Sequence, residues 1–250
     1  MAFYQVVFSP TGGTAKVSDI LSKALGNRCT TVDLTAPEGV SAPAFTSEDV
    51  CIIAVPVFGG RVPAVAAQRL GRLSGNGARA IAVVVYGNRA FEDALLELSD
   101  LAREAGFTVV AGISAVARHS IAEEFGQGRP DQEDEACLSA MADALKKRLS
   151  GPAAAPDLPG NRPYRIYNPL PIPILVSDRC TACGQCAARC PVGAIDKADP
   201  SRTDTNLCIS CMRCIAECPQ GARSADPGRT AALREKIAAA CAQRKPCVLY

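Results

Sequence analysis

The sequence CTACGQCAARCPVGA occupies residues 180–194, and CISCMRCIAECPQGA occupies residues 208–222. A shift of 28 positions superimposes all their cysteines and the Pro, Gly and Ala of the closing C-P-x-G-A, so the two segments form an internal repeat. Each has the spacing C-x2-C-x2-C-x3-C-P, in which three thiolates can fold as a tight loop around one face of an iron–sulfur cubane. The fourth cysteine, followed by proline, leads away toward a second cluster. The repeat therefore predicts two [4Fe-4S] clusters.

Each predicted cluster needs four ligands. Because the fourth cysteine of each repeat leads away from the first three, each cluster takes three ligands from one repeat and one from the other. We expect cluster one to be bound by Cys180, Cys183, Cys186 and Cys218, and cluster two by Cys208, Cys211, Cys214 and Cys190. Structural zinc is the alternative, but zinc ligands usually come as separated CxxC pairs around one tetrahedral site. Two unbroken four-cysteine runs favour clusters over zinc.

The first 150 residues alternate short β-branched runs with amphipathic helical stretches, which is typical of a parallel sheet covered by helices. Five strands are predicted, at residues 3–8, 29–34, 50–55, 80–86 and 107–114. Helical faces are predicted between them, including Val17, Ile20, Leu21 and Leu25 on one stripe. The pattern predicts one doubly wound α/β domain.

The first predicted strand runs directly into Ser9, Pro10, Thr11, Gly12, Gly13 and Thr14, and a helix follows. Hydroxyls and free backbone N–H groups at a helix N-terminus suit a phosphate. The third and fourth strands end at Pro56, Val57, Phe58, Gly59, Gly60 and Arg61 and at Tyr86, Gly87, Asn88 and Arg89. Ligands of such sheets bind at the carboxyl ends of the strands. These three loops are the predicted cofactor site, with Phe58 and Tyr86 facing a planar ring.

Residues 174–223 resemble the bacterial two-cluster ferredoxin, residues 1–149 resemble flavodoxin, and the whole chain resembles bacterial flavodoxin–ferredoxin fusion proteins. The resemblance implies a flavodoxin-like five-stranded sheet, a small α+β ferredoxin domain, and flavin mononucleotide (FMN) as the flavin. Flavodoxins often stack the flavin on a Trp, whereas this chain has none. The stacking residue therefore stays open.

Three regions are predicted: residues 1–150 as the FMN-binding domain, 151–173 as a proline-rich linker, and 174–250 as the ferredoxin-like domain. The seven prolines of the linker forbid a long helix. A last helix places Leu233, Ile237 and Cys241 on one stripe, which predicts packing against one of the domains.

Composition and charge limit the location and partners. The chain shows no long apolar run and no basic segment ahead of an apolar one near Met1, which favours a soluble, cytoplasmic protein. Residues 151–250 hold 13 Lys and Arg against 8 Asp and Glu. Two tetrathiolate clusters of charge −2 each would offset most of this excess, so no nucleic-acid partner is expected.

Three functions compete. The first is electron transfer between the clusters and FMN, with a redox protein or small electron acceptor as partner. The second is a flavin-dependent reductase of a quinone or other electrophile, and the third is a zinc-binding interaction module. The oligomeric state is left open.

Arg61 and Arg89 are expected to stabilise the anionic reduced flavin, so that electrons run from the clusters to the flavin. Alternatively, both arginines face solvent or pair with acidic residues. His119, the one histidine of the sequence, either reaches the flavin edge or lies in a surface loop.

Overall fold

The sheet of the N-terminal domain has six strands, five parallel and one antiparallel. The computed structural model describes residues 1–26, 28–169 and 171–250. The first five strands run parallel: β1 Phe3–Val7, β2 Cys29–Asp33, β3 Val50–Pro56, β4 Arg79–Tyr86 and β5 Thr108–Val116. The order 2-1-3-4-5 is that of flavodoxin-like folds, and the order reverses between β1 and β3. The predicted five-stranded parallel sheet is confirmed.

Helices cover both faces of this sheet. The helices of the domain are α1 Gly13–Leu25, α2 Ala64–Leu70, α3 Ala94–Glu104, α4 Gln132–Ala140 and α5 Ala142–Ser150. Alternate strand residues enter two separate cores, because successive side chains of a strand point to opposite faces. Ile53 and Val84 pack with α2 and α3, whereas Ile52 and Val83 pack with α1, α4 and α5. The sheet is thus buried on both faces.

The segment between the two predicted domains contains no helix or strand within its described residues, 151–169 and 171–173. It is nevertheless attached to the first domain. Leu158 is buried in the core beside α3, and the Arg162 guanidinium donates to both carboxylate oxygens of Asp100, at 2.9 and 2.6 Å. The backbone N–H groups of Asn161 and Arg165 donate to the carboxylate of Asp93 at 2.9 and 2.7 Å. These contacts hold the segment along α3.

The cysteine repeats form a small α+β unit. Strand β6, Ile174–Val176, pairs antiparallel with β7, Arg223–Ala225, and two short helices, α6 Gln185–Arg189 and α7 Arg213–Ala216, lie between them in the sequence. Its buried core contains Ala187, Cys190, Ala194 and Ile195.

The final segment returns to the first domain. Helix α8, Pro227–Cys241, packs Leu233, Ile237 and Cys241 against Ala122 and Phe125, which confirms the predicted stripe. Strand β8, Val248–Leu249, then pairs antiparallel with β5. This sixth strand was not expected from the sequence. Residues 227–250 follow the cysteine repeats in the chain but pack on the N-terminal domain.

Among residues 1–26, 28–169 and 171–250, no helix combines the length and apolar character of a membrane span.

Candidate functional site

The loop after β1 presents an open helix N-terminus. Gly12 precedes α1 with φ +88°, a left-handed conformation that glycine adopts without strain, and it has no side chain to cap the helix. Ser9 Oγ accepts the Ala15 N–H at 3.0 Å, and the Ser9 N–H donates to Thr35 Oγ1 at 2.7 Å. A side chain at Gly13 would bring its Cβ to 3.0 Å from Ala117 Cβ. This end of α1 is therefore shaped to receive an anion close to the backbone.

A cavity of about 450 Å³ opens above this loop, at the point where the strand order reverses. Its volume lies in the range of cofactor sites, about 300–1,000 Å³. Most of the predicted cofactor residues line it: Pro10, Thr11, Gly13 and Thr14; Pro56, Val57, Phe58 and Gly59; and Tyr86, Gly87 and Arg89. The structure thus brings the three predicted loops together at one cavity.

The remaining predicted residues lie beside this cavity. Gly12 borders a neighbouring cavity of about 260 Å³ that also contacts Thr11 and Gly13. Ser9 stabilises the loop through its hydrogen bond with the Ala15 N–H. A side chain at Gly60 would overlap the Glu92 carboxylate. Arg61 pairs with Glu97.

Asn88 contacts the final segment of the chain. Its Nδ2 donates to the carbonyls of Cys241 and Gln243 at 2.8 and 2.9 Å. Its Oδ1 accepts from Arg129 Nη1 at 3.2 Å and from the Lys245 N–H at 3.1 Å. All the polar atoms of this buried side chain are engaged away from the cavity.

The other walls of the cavity come from distant parts of the sequence. They are supplied by residues 165 and 167–169 of the proline-rich segment, residues 209–211 of the second cysteine repeat, and Leu233, Lys236 and Ile237 of α8. Sequence reasoning missed them because it considered only the loops at the strand ends. Aromatic and basic residues among the prolines, at Tyr164, Arg165 and Tyr167, were the available signal.

The proline-rich segment adds one aromatic side chain, Tyr167, to the cavity wall. A Cβ at Gly59 would lie 2.9 Å from Tyr167 Cε2, so the glycine allows the ring to lie against the loop after β3. Tyr167 is 38% exposed and lines the cavity with Phe58 and Tyr86. The Tyr86 ring is buried and packs edge-to-face on Phe91, with the ring centroids 5.4 Å apart. Tyr167 thus has the freer ring face.

The charged side chains at the described cavity wall are all basic: Arg89, Arg118, Arg165 and Lys236. Arg89 and Arg165 share one carboxylate, Glu92, with Arg89 Nη2 at 2.8 Å from Glu92 Oε2. Burial alone would raise the pKa of Glu92, but the hydrogen bonds and charges of the two arginines outweigh it and hold the pKa below its usual value. Two cations on one anion leave a positive balance that suits a phosphate or an anionic ring.

His119 lies in the cavity wall rather than in an exposed surface loop. Burial first, and the neighbouring Arg89 charge second, lower the pKa of His119 to about 4. Its Nδ1 accepts the N–H groups of Ile121 and Ala122, at 3.2 and 3.1 Å. A neutral imidazole that accepts at Nδ1 carries its hydrogen at Nε2, so His119 is a neutral hydrogen-bond donor near pH 7.

The cysteines separate into the two expected sets. Cys180, Cys183, Cys186 and Cys218 border one small cavity. Cys190 packs against Cys208 and Cys214, and Cys211 lies within electrostatic reach of all three. The fourth cysteine of each repeat therefore lies with the first three of the other. No three His, Cys, Asp or Glu side chains of the described residues converge as ligands of a single metal ion.

Arg223 shows that these thiols suit an anionic cluster. Its guanidinium is buried and donates to Cys186 Sγ at 3.2 Å, to the Pro200 carbonyl at 2.6 Å and to Thr203 Oγ1 at 2.7 Å. Its Nε has no partner, and it forms no ion pair with a carboxylate of the described chain. A buried cation needs a counter-charge. Clusters bound by these cysteines would supply it.

Comparison with known proteins identifies the region of the cysteine repeats. The family model of the 4Fe-4S binding domain matches residues 173–196 and 202–224. No curated protein matched the chain.

Among solved structures, the flavodoxin of Streptococcus pneumonia TIGR4 is 19% identical and has a TM-score of 0.40, with 59% of this chain and 99% of that chain covered. The Fusobacterium nucleatum flavodoxin bound to flavin mononucleotide is 15% identical, with a TM-score of 0.39 and coverages of 59% and 98%. Rubredoxin oxygen:oxidoreductase from Desulfovibrio gigas is 17% identical, with a TM-score of 0.40 and coverages of 60% and 36%. The sheet order of the first domain is thus that of flavodoxin-like folds, and the cysteine repeats match the model of the 4Fe-4S binding domain.

Proposed function

We propose that the chain transfers electrons between two [4Fe-4S] clusters and one bound FMN, and exchanges them with a redox protein or a small acceptor. One observation carries the proposal. The cavity bordered by Thr11, Phe58 and Tyr86 on one side is bordered by Cys211, a proposed cluster ligand, on the other. A flavin in that cavity would lie directly beside a cluster.

Each part of the cavity has a task in this proposal. Thr11, Gly13 and Thr14 bind the phosphate through hydroxyl and backbone N–H groups. Tyr167 and Phe58 hold the ring, and His119 offers a neutral donor at its edge. FMN, when bound, accepts electrons singly or in pairs, which connects one-electron clusters to two-electron acceptors.

The basic wall sets the expected direction of flow. Reduced flavin is anionic, and the positive balance around Arg89 and Arg165 stabilises that anion. Clusters already carry negative charge before reduction, which opposes a further electron. Electrons should therefore run from the clusters to the flavin.

Anaerobic purification with metal, sulfide and flavin analysis tests the proposal. We expect about eight iron atoms, about eight sulfides and one FMN per chain, because each cubane holds four irons. A colourless protein that contains zinc would instead support the interaction-module alternative. Spectral titration should then show that reducing the clusters leads to reduction of the flavin.

A further inference from the structure

We propose that the two clusters have separate tasks: cluster two, bound by Cys190, Cys208, Cys211 and Cys214, exchanges electrons with the flavin, and cluster one exchanges them with an external one-electron carrier. This inference rests on the proposed function and adds the order of the route. It follows from the different burial of the two repeats, whose sequences are nearly the same.

The same ligand loop is exposed in the first repeat and enclosed in the second. Cys183 is exposed, as are Thr181 and Ala182 beside it. The equivalent residues 28 positions later, Ile209, Ser210 and Cys211, are half-buried or buried and line the flavin cavity.

Hydrogen bonding and packing fix the second loop in this place. Ser210 is buried with φ +51°, and its Oγ accepts the Ile172 N–H at 2.9 Å. Ala182, at the equivalent position, has φ +52° but no hydroxyl. The loop conformation is therefore common to both repeats, whereas the hydrogen bond to the proline-rich segment is possible only in the second.

Met212 marks a second difference between the two repeats. It has φ +61° at the position that Gly184 occupies in the first repeat with φ +73°. A side chain is disfavoured in this left-handed conformation. Met212 nevertheless stays 4% exposed and borders the cavity beside Thr11, Gly12 and Gly13. The position that is glycine in the exposed repeat thus carries a buried side chain at a cavity shared with the loop after β1.

The fourth ligand of cluster two is enclosed as well. Cys190 is 9% exposed and lies at a groove bounded by α2. Arg69 joins the two domains here, donating to the carbonyls of Leu34 and Pro191, each at 2.6 Å. The first domain therefore borders the proposed ligands of cluster two, Cys190 and Cys211, on more than one side.

The route is balanced one electron at a time. An external carrier loses one electron to cluster one. Cluster one passes this electron to cluster two, and cluster two passes it to the flavin. Both clusters return to their starting state. Two passages and one proton from water convert the flavin to its anionic reduced form and oxidise two carrier molecules.

Paramagnetic NMR of the protein with both clusters and FMN tests this order without a functional assay. The cysteine β-proton signals, assigned by selective labelling, are recorded with and without a gadolinium chelate and before and after removal of FMN. We expect the chelate to broaden the signals of Cys180 and Cys183 at least threefold more than those of Cys208 and Cys211. Removal of FMN should shift the signals of Cys208 and Cys211 and leave those of Cys180 and Cys183 in place.

The opposite pattern, or equal effects on both sets, overturns the route. Wild-type protein that lacks clusters or FMN contradicts the proposed function itself, so the two failures are distinguishable. The matched variants Cys183→Ser and Cys211→Ser provide a second measurement. Loss of the cluster-two signals in Cys211→Ser should remove the response to FMN, whereas the response should persist in Cys183→Ser.

Discussion

The guanidinium of Arg61 donates two hydrogen bonds to the carboxylate of Glu97, from Nε to Oε2 and from Nη2 to Oε1, both at 2.7 Å. Glu97 also accepts the Val62 N–H at 2.8 Å, and Arg61 Nη1 donates to the Arg165 carbonyl at 2.6 Å. The hydrogen bonds and charge of Glu97 raise the pKa of Arg61 above its usual value despite partial burial. Arg61 therefore connects the loop after β3 to the proline-rich segment. Both Arg61 and Arg89 have the acidic partners of the second alternative, Glu97 and Glu92, but only Arg89 also lines the cavity.

Arg89 and Arg61 should consequently differ in their effect on the flavin. Arg89→Ala removes a cation from the cavity wall, so we expect the two-electron midpoint potential of the flavin to fall by about 30 mV, a tenfold change in its equilibrium. Arg61→Ala should leave the potential unchanged and lower the thermal stability. Potentiometric titration of both variants decides, and equal potential shifts would refute the distinction.

Thr11 should contribute to phosphate binding. A hydrogen bond to a charged group is worth about 1.5–3 kcal/mol, so Thr11→Ala should weaken FMN binding tens-fold or more. Thr11→Ser, which keeps the hydroxyl, is the matched control. Riboflavin, which lacks the phosphate, should bind the wild type much more weakly and respond little to the substitution. If both flavins bind with the same affinity, the loop is not a phosphate site.

Tyr167 should stabilise the flavin ring. Aromatic pairs contribute about 0.5–1.5 kcal/mol beyond the area they bury, so Tyr167→Ala should raise the dissociation constant of FMN by about two- to thirteenfold. Tyr167→Phe keeps the ring and should bind like the wild type. Fluorescence titration measures both, and an Ala variant with unchanged affinity would place the ring away from the flavin.

Arg223 should raise the potentials of the clusters. Hydrogen bonds to cysteine sulfur and nearby charge are among the determinants of cluster potential. We expect Arg223→Gln to lower at least one cluster midpoint by about 60 mV, a tenfold change for one electron, and Arg223→Lys to lower it less. Arg179→Gln is the control. Arg179 is exposed and donates to the Gly221 carbonyl, and it does not line the cavity bordered by Cys180 and Cys218. An unchanged EPR titration of Arg223→Gln would remove the guanidinium from this role.

His119 predicts a specific loss of stability in acid. Its pKa is about 4 in the folded protein and 6.5 when exposed, so the unfolded chain binds more protons between these values. Above pH 6.5 this difference in bound protons makes no contribution to the free energy of unfolding. As the pH falls toward 4, it lowers the free energy of unfolding progressively. Each unit of pKa difference corresponds to about 1.4 kcal/mol. Urea titrations at pH 7 and 5 should show a smaller drop for His119→Asn than for the wild type, and identical drops would contradict a neutral buried imidazole.

The sequence predicted the features that depend on local pattern. Short β-branched runs between amphipathic helical stretches located five strands to within two residues at each end, and the cysteine spacing anticipated that Cys218 would lie beside Cys180. The cavity walls at Tyr167, Cys211 and Lys236 depend on how distant segments dock, and no periodicity encodes that. Asn88 shows the same limit, because a polar residue after a strand can equally face a ligand or the final segment of the chain.

The return of residues 227–250 to the first sheet has a consequence for the order of events during synthesis. Strands β1 to β5 and the loop after β1 leave the ribosome well before α8 and β8. Domains generally fold in the order of their synthesis, N-terminal domain first. The early domain then has an unpaired edge at β5 and a flavin cavity that lacks the walls later supplied by Tyr167, Cys211 and Ile237. Tyr167 precedes the cysteine repeats in the chain, Cys211 lies within them and Ile237 follows them. The cavity therefore stays open on this side until nearly the whole chain has been synthesised, and β8, which pairs with the edge at β5, is made last.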